Sequence, residues 1–264
     1  MSEPEVRYEA RDGVAVLTLS APPANCYSYA LMRSLDEAIL QARFDDEVEV
    51  IVLVGEGDRF FCAGADIAML ATVTEAFKYY LCLHANETLG RLEHTPKLVI
   101  AAINGHCVGG GLEIAMAADL RVARKGAGRW GLPEVKLGLL PGTGGTQRLA
   151  RLVGHQKALR WMVEGHTGTF EEAAAEGIID HVLACEPGDF LGQAREYAAR
   201  FTTPDTAAMA VGHIKRAVQT GAALPLEQGL ALERELQAKL FASDDAAEGL
   251  DAYVEKRRAR FAGR

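Results

Sequence analysis

Two spacings of apolar residues alternate along the chain and set its expected elements. Residues 6–8 and 14–19 are short apolar runs on either side of Asp12-Gly13, and read as two strands joined by a tight turn, because Asp-Gly supplies the positive φ such a turn needs. Leu31, Met32, Leu35, Ala38, Ile39 and Ala42 then recur at helical spacing. Residues 50–54, bounded by Gly55 and Gly57, read as a buried strand, and a helical stretch over 74–93 leads past Pro96 into a second continuous apolar strand, Leu98–Ile103. Strand, helix and strand in that order predict parallel pairing through crossover connections.

After Ile103, Asn104-Gly105-His106-Cys107-Val108-Gly109-Gly110-Gly111 predicts a turn into a helix over 112–118, followed by a strand at 120–123. Beyond Pro141, Gly142-Thr143-Gly144-Gly145 opens a helix containing Leu149 and Leu152. Helices dominate from there, apart from a strand expected at 179–183. Residues 204–261 read as three helices separated near 221–225 and 243–245, where Ser243 and the two aspartates are good N-terminal caps. The expectation is an α/β core over 1–200 followed by a helical layer over 201–264, with no repeat or flexible linker between them.

Composition narrows the possibilities. The 264 residues are 49% hydrophobic and 24% charged, an ordinary globular balance that leaves ample apolar surface for a core. A formal net charge of −8 predicts an overall field that repels nucleic acid and anionic membrane, so an anionic ligand must be held by local groups. Cys26, Cys62, Cys82, Cys107 and Cys185 are scattered without a C-x-x-C, which argues against a disulfide framework or a zinc site and fits a reducing cytoplasm. Residues 1–9 lack the basic and apolar regions of a signal peptide, and no apolar run approaches the roughly 18 residues of a membrane span.

Four features carry candidate chemistry. Cys62-Ala63-Gly64-Ala65-Asp66 and Gly109-Gly110-Gly111 each bring unobstructed backbone to the start of a helix, where free N–H groups favour negative charge. Together they could form an oxyanion hole; taken alone, each cluster reads first as a tight turn that lets a helix pack closely on a sheet. Neither matches a nucleotide-phosphate fingerprint. Glu113 lies among Leu112, Ile114, Ala115 and Met116, and Glu134 lies 21 positions further on in Trp130-Gly131-Leu132-Pro133-Glu134-Val135. A carboxylate in such apolar surroundings is either a helix-start or turn residue or a desolvated proton-transfer group, and the conjunction of both acids with both turns favours the second.

A competing reading starts from Gly105-His106-Cys107-Val108-Gly109, which has the form of a cysteine nucleophile elbow, with His181 or His213 and Asp119 or Asp180 downstream. It gives no role to either glutamate or to the earlier glycine turn. The other histidines show no ligand spacing, and no metal is implied.

Phe61-Cys62-Ala63-Gly64-Ala65-Asp66-Ile67, the segment Asn104 to Glu113 and the segment Gly131 to Leu149, in this order and spacing, resemble the enoyl-CoA hydratase/isomerase (crotonase) superfamily, and most closely its hydratases. The resemblance runs from the strand at 14–19 to Glu248-Gly249 and Glu255-Lys256-Arg257. It implies a crotonase-like spiral of ββα units with a C-terminal helical trimerisation region, assembled as a homotrimer or dimer of trimers. It implies hydration of a trans-2-enoyl-CoA to the 3-hydroxyacyl-CoA, with no cofactor, since CoA is part of the substrate. By the same resemblance, Ala65 and Gly110 donate their N–H groups to the thioester oxygen, Glu134 exchanges the proton at Cα, and Glu113 activates water. Ala24, Cys26, Ala63, Asp66, Ile67 and Ala68 match positions along the CoA-ester site, and Tyr253 and Lys256 match positions that reach CoA, in some members across a subunit boundary. Double-bond isomerisation and non-catalytic CoA-ester binding are the alternatives within this frame. The chain departs from the family pattern at Ala68, where many hydratases have a lysine for a CoA phosphate, at Asn25-Cys26-Tyr27-Ser28, and at Cys62 and Cys107.

Overall fold

The hairpin around Asp12-Gly13 begins the architecture seen in the computed structural model, which describes residues 4–263. The reading of residues 1–9 as lacking signal-peptide features therefore falls partly outside the described residues. β1 (Glu5–Arg11) pairs antiparallel with β2 (Val14–Ser20) across Asp12 and Gly13, at φ 52° and 78°. Next comes α1 (Tyr29–Phe44), which buries the six residues picked out by helical spacing and is capped by Ser28, whose side chain accepts from the Leu31 N–H.

Three successive units then repeat one plan. β3 (Val50–Gly55) and β4 (Phe60–Cys62) precede α2 (Ile67–Leu70) and α3 (Glu75–His94); β5 (Leu98–Ile103) and β6 (His106–Val108) precede α4 (Gly110–Met116); β7 (Leu120–Arg124) and β8 (Trp130–Gly131) precede α5 (Gly145–Val153). The first strand of each unit joins one sheet, ordered β1-β2-β3-β5-β7 and closed by β10 (His181–Leu183). The second joins another, ordered β4-β6-β8 and closed by β9 (Thr167–Gly168). This is the expected spiral of ββα units. Between β8 and β10 also lie α6 (His155–Glu164) and α7 (Phe170–Ala175), and after β10 come α8 (Phe190–Ala199), α9 (Ala208–Gly221), α10 (Leu226–Phe241) and α11 (Asp244–Glu255).

Every residue of β3 and β5 is buried, which is why these strands read as continuous apolar runs rather than alternating ones. Their two faces enter different cores. Ile51, Leu53, Val99, Ala101 and Ile103 pack with α1, α3 and α4, while Val50, Val52, Ile100 and Ala102 pack with Phe190, Ala194 and Ala198 of α8. Asn104 ends β5 by accepting from the Gly55 N–H and donating to the Gly55 and Gly57 carbonyls, at 3.1, 2.7 and 2.6 Å. That fixes where the chain leaves one sheet for the other.

Two expectations are corrected. The strand expected at 179–183 forms only at His181–Leu183, because Ile178 and Ile179 are buried in the core and Asp180 accepts from the Arg121 N–H at 2.7 Å. Residues 106–108 are not part of a turn but strand β6, where Cys107 pairs with Cys62 on one side and Trp130 on the other. Strands of two or three residues are too short to leave a periodicity, so the second sheet was invisible in the sequence.

The C-terminal helices are tied to the core through Lys215. Its ammonium donates to the carbonyls of Leu92 and Lys97 at 3.2 and 3.0 Å and pairs with Asp119 at 2.8 Å. Elsewhere on these helices Ile214, Val218, Leu226, Phe241, Leu250 and Val254 are exposed. Among the described residues no helix is long and apolar enough to cross a membrane, and no group of three His, Cys, Asp or Glu side chains is placed to hold a metal ion.

Candidate active site

Two glycine turns meet at the carboxyl ends of β4 and β6. Tyr27 donates its N–H to the Gly64 carbonyl at 2.9 Å and accepts from the Asp66 N–H at 3.1 Å, a parallel bridge that brackets Ala65. Such a bridge uses the groups on either side of Ala65, so the N–H of Ala65 itself faces the other way. Gly109, at φ 55° and ψ −132°, then turns the chain so that Gly110 opens α4. Gly64 stands at φ 93°, and a Cβ there would lie 3.3 Å from the Gly110 nitrogen, so the turns approach closely only because side chains are missing. Ala65 and Gly110 both line a cavity of about 310 Å³, and among the described residues neither N–H has a partner.

Glu113 sits in the first turn of α4, a helix buried along its whole length. One carboxylate oxygen, Oε1, accepts from the backbone N–H groups of Thr143 and Gly145, both at 2.7 Å. The Gly142-Thr143-Gly144-Gly145 cluster therefore does more than start α5: it holds the acid. A Cβ on Gly145 would come within 3.0 Å of that oxygen. Burial pushes the Glu113 pKa up, and the two N–H donors, with Arg148 and Lys78 further off, pull it back.

Tyr27 joins these parts. Its ring fills the space a side chain on Gly110 would need, and its hydroxyl lies 2.9 Å from the Thr143 hydroxyl, behind the amide that holds Glu113. Burial raises the Tyr27 pKa far above its usual value, so the phenol keeps its proton.

Glu134 is arranged differently. It begins a 3₁₀ turn, Glu134–Leu137, directly after Pro133, and a Cβ on Gly109 would sit 2.9 Å from its Oε1. Its Oε2 is buried without a hydrogen-bond partner among the described residues. Burial above all, with the nearby Glu113 charge adding, pushes its pKa up to about 7, against weaker lowering by its own backbone N–H and by Lys78. One acid is thus held by amides and the other is open to whatever enters the cavity. Ile67, Leu70, Leu137, Leu139 and Leu140 supply apolar wall.

The other expected positions divide. Ala63 and Ile67 line the cavity with Ala65 and Gly110, whereas Ala24, Cys26, Asp66 and Ala68 are not among its walls. The Ala24 carbonyl accepts from the Ala63 N–H at 3.0 Å, and the Asp66 carboxylate caps α2 by accepting from the N–H groups of Ala68 and Met69. Tyr253 and Lys256 lie at the end of α11, away from the cavity walls of this chain. The cysteine-elbow reading is not supported. Cys107 is buried inside a strand, burial and Cys62 hold its thiol well above the ordinary range, Asp119 is engaged by Lys215 and Asp180 by Arg121. His213 bonds the Met209 carbonyl and His181 stacks edge-on against Tyr197. Thr143, Gly145 and Lys78 had no place in the site as read from sequence, and Tyr27 entered only as a departure in the Asn25–Ser28 segment; the glycine cluster marked the first two but gave no hint of the partner.

The sequence model of the enoyl-CoA hydratase/isomerase family matches residues 9–264. The chain is 36% identical to the short-chain-enoyl-CoA hydratase of Clostridium acetobutylicum over 95% of its own length and 94% of that protein. It is 32% identical to the crotonyl-CoA hydratase of Syntrophomonas wolfei over 99% of both. Its fold superposes on a crystal structure from Geobacillus kaustophilus HTA426, described as an enoyl-CoA hydratase, with TM-score 0.95 and 40% identity, covering 100% of this chain and 98% of that one.

Two outcomes test the electrostatics. Because the folded pKa of Glu134 lies above its value in the unfolded chain, the native state holds the extra proton between about pH 4.5 and 7, and stability falls as pH rises through that window. Glu134→Gln removes the loss. Urea unfolding should show the variant gaining up to about 3 kcal/mol on the wild type between pH 4 and pH 8, less where solvent screens the carboxylate; a gap independent of pH would contradict the raised pKa. Tyr27→Phe should loosen the Thr143 amide and raise the Glu113 pKa further, as read by NMR of labelled glutamate carboxyls. An unmoved Glu113 titration would show that the hydroxyl does not support the cradle.

Proposed function

Because the chain belongs to the enoyl-CoA hydratase/isomerase family, we propose that it reversibly adds water to the α,β-double bond of a trans-2-enoyl-CoA thioester. The observation that carries this reading is the asymmetric acid pair beside two unpartnered N–H groups: Glu113 held by Thr143 and Gly145, and Glu134 with a buried oxygen left open. Relatives named as short-chain-enoyl-CoA and crotonyl-CoA hydratases support hydration and point to short acyl chains.

In this mechanism the thioester carbonyl oxygen accepts from the N–H groups of Ala65 and Gly110. Water between the acids loses a proton to the Glu113 carboxylate as its oxygen bonds to Cβ. The π electrons move toward the carbonyl, and the enolate charge falls on the oxygen that the two amides hold, donors typically worth about 3–4 kcal/mol each when removed. Protonated Glu134 then gives its proton to Cα. Atoms balance: water supplies hydroxyl to Cβ and a proton to Glu113, Glu134 supplies the proton at Cα, and one proton passes from Glu113 back to Glu134 to close the cycle. Nothing beyond the CoA of the substrate is required.

The assembly proposed here is a homotrimer or a dimer of trimers. The exposed apolar residues of α9, α10 and α11 support it, and Tyr253 and Lys256 would then meet CoA across a subunit boundary. Five free cysteines suit the reducing cytoplasm proposed as its location.

Glu113→Gln and Glu134→Gln should each lower kcat about 10²–10⁴-fold with little change in binding of a saturated acyl-CoA. Full activity in either variant rejects the assignment, and consumption of 3-enoyl-CoA without uptake of labelled water would make the protein an isomerase. The pH profile gives a second test. Hydration needs Glu113 ionised with Glu134 protonated, and dehydration needs the reverse, so both directions use a pair carrying one proton. Above about pH 7 that proton is lost from Glu134, and kcat/KM should decline in parallel for both directions; a decline set by a group far from this range would remove Glu134 as the proton carrier.

A further inference from the structure

Hydration leaves two cations in the cavity wall without a task, Lys78 and Lys136, and of these Lys78 is the one whose charge bears on both acids. Lys78 lies in the first turn of α3, where its N–H bonds the Thr74 carbonyl at 2.9 Å, four positions before Cys82. Residues four apart share a helix face. That face is turned to the site: the Cys82 sulfur would be the nearest neighbour of a Cβ on Gly142, at 3.4 Å, and Gly142 and Lys78 both line the cavity. Leu70, Leu139 and Leu140 line the same cavity. Among the described residues its ammonium has no hydrogen bond and no ion pair, yet its charge is felt at both acids, lowering Glu113 and Glu134 alike.

A cation beside an apolar wall is a poor neighbour for an alkyl chain. Filling the cavity with hydrocarbon strips water from the ammonium and offers no partner in return, which opposes binding. A chain ending in a carboxylate reverses the sign, because it brings the counter-ion, and in a half-buried place such a pair is worth more than on the surface. Without Lys78, that carboxylate would face the two glutamates with only Lys136 of the cavity wall to offset them. We propose that Lys78 forms an anion-recognising subsite at the acyl end of the cavity, so that this protein takes enoyl-CoA thioesters whose acyl chain ends in a carboxylate. This rests on reading the cavity as an acyl-CoA site, with the thioester oxygen at Ala65 and Gly110.

Calorimetric binding of saturated esters tests it without depending on turnover. Succinyl-, adipyl- and suberyl-CoA are compared with butyryl-, hexanoyl- and octanoyl-CoA on the wild type, K78M and K78R. At one chain length or more, the ratio of monoacid to diacid Kd should fall about tenfold in K78M and stay near the wild-type ratio in K78R. A ratio that is the same in wild type and K78M at every length overturns the proposal. A loss in K78M that is equal for both esters of a pair, and that vanishes with phosphate-free N-acetylcysteamine thioesters, overturns it too, since Lys78 would then serve the CoA phosphates. Absence of hydration with the diacid preference intact would instead sink the hydratase reading and leave the subsite standing.

Discussion

The site is organised by a carboxylate taken out of water and held by two amides. Glu113 is 1% exposed on a fully buried helix, where an unpaired carboxylate would shed its charge. The N–H groups of Thr143 and Gly145 offset that cost on one oxygen, and in doing so fix the position of α5 relative to α4. Tyr27 extends the same constraint to the other side of the cavity, with its backbone bridged around Ala65, its ring against Gly110 and its hydroxyl on Thr143. The two glycine turns and the acid are therefore parts of one connected structure.

Glu134 shows what the opposite arrangement does. It also borders the Gly109 turn, but with one buried oxygen unpartnered its charge is stabilised only weakly, by its own backbone N–H and Lys78, and the neighbouring Glu113 makes ionisation harder still. Burial raises both acids, and their hydrogen-bond partners separate them: two amides on one Glu113 oxygen, none on the buried Glu134 oxygen. That separation allows a single proton to be shared between them, which is what a reaction that both takes and gives a proton requires.

The spiral explains how such distant segments meet. Each ββα unit passes from the large sheet into the small one before its helix, so β4 and β6, side by side in the small sheet, release their turns at the same edge. Asn104 sets the point of departure by clamping Gly55 and Gly57. The central strands β3 and β5 of the large sheet, buried on both faces, lie behind this edge.

Much of this was legible beforehand, for identifiable reasons. Long elements such as α1, α3, β3 and β5 repeat their pattern over enough residues to be read locally, and the acids stood out as charges in apolar surroundings. The paired glycine turns and both glutamates were accordingly recognised, and the family followed from their order and spacing. The second sheet was not, because strands as short as Trp130–Gly131 carry no period, and Cys107 was placed in a turn when it belongs to one of them. Nor could sequence show that Thr143 and Gly145 serve Glu113, that Tyr27 reaches Thr143, or that Lys78 lines the cavity. Sequence determines what each segment prefers to be; which hydrogen bonds a buried carboxylate receives depends on residues 30 and 32 positions away, and only the packed chain brings them together.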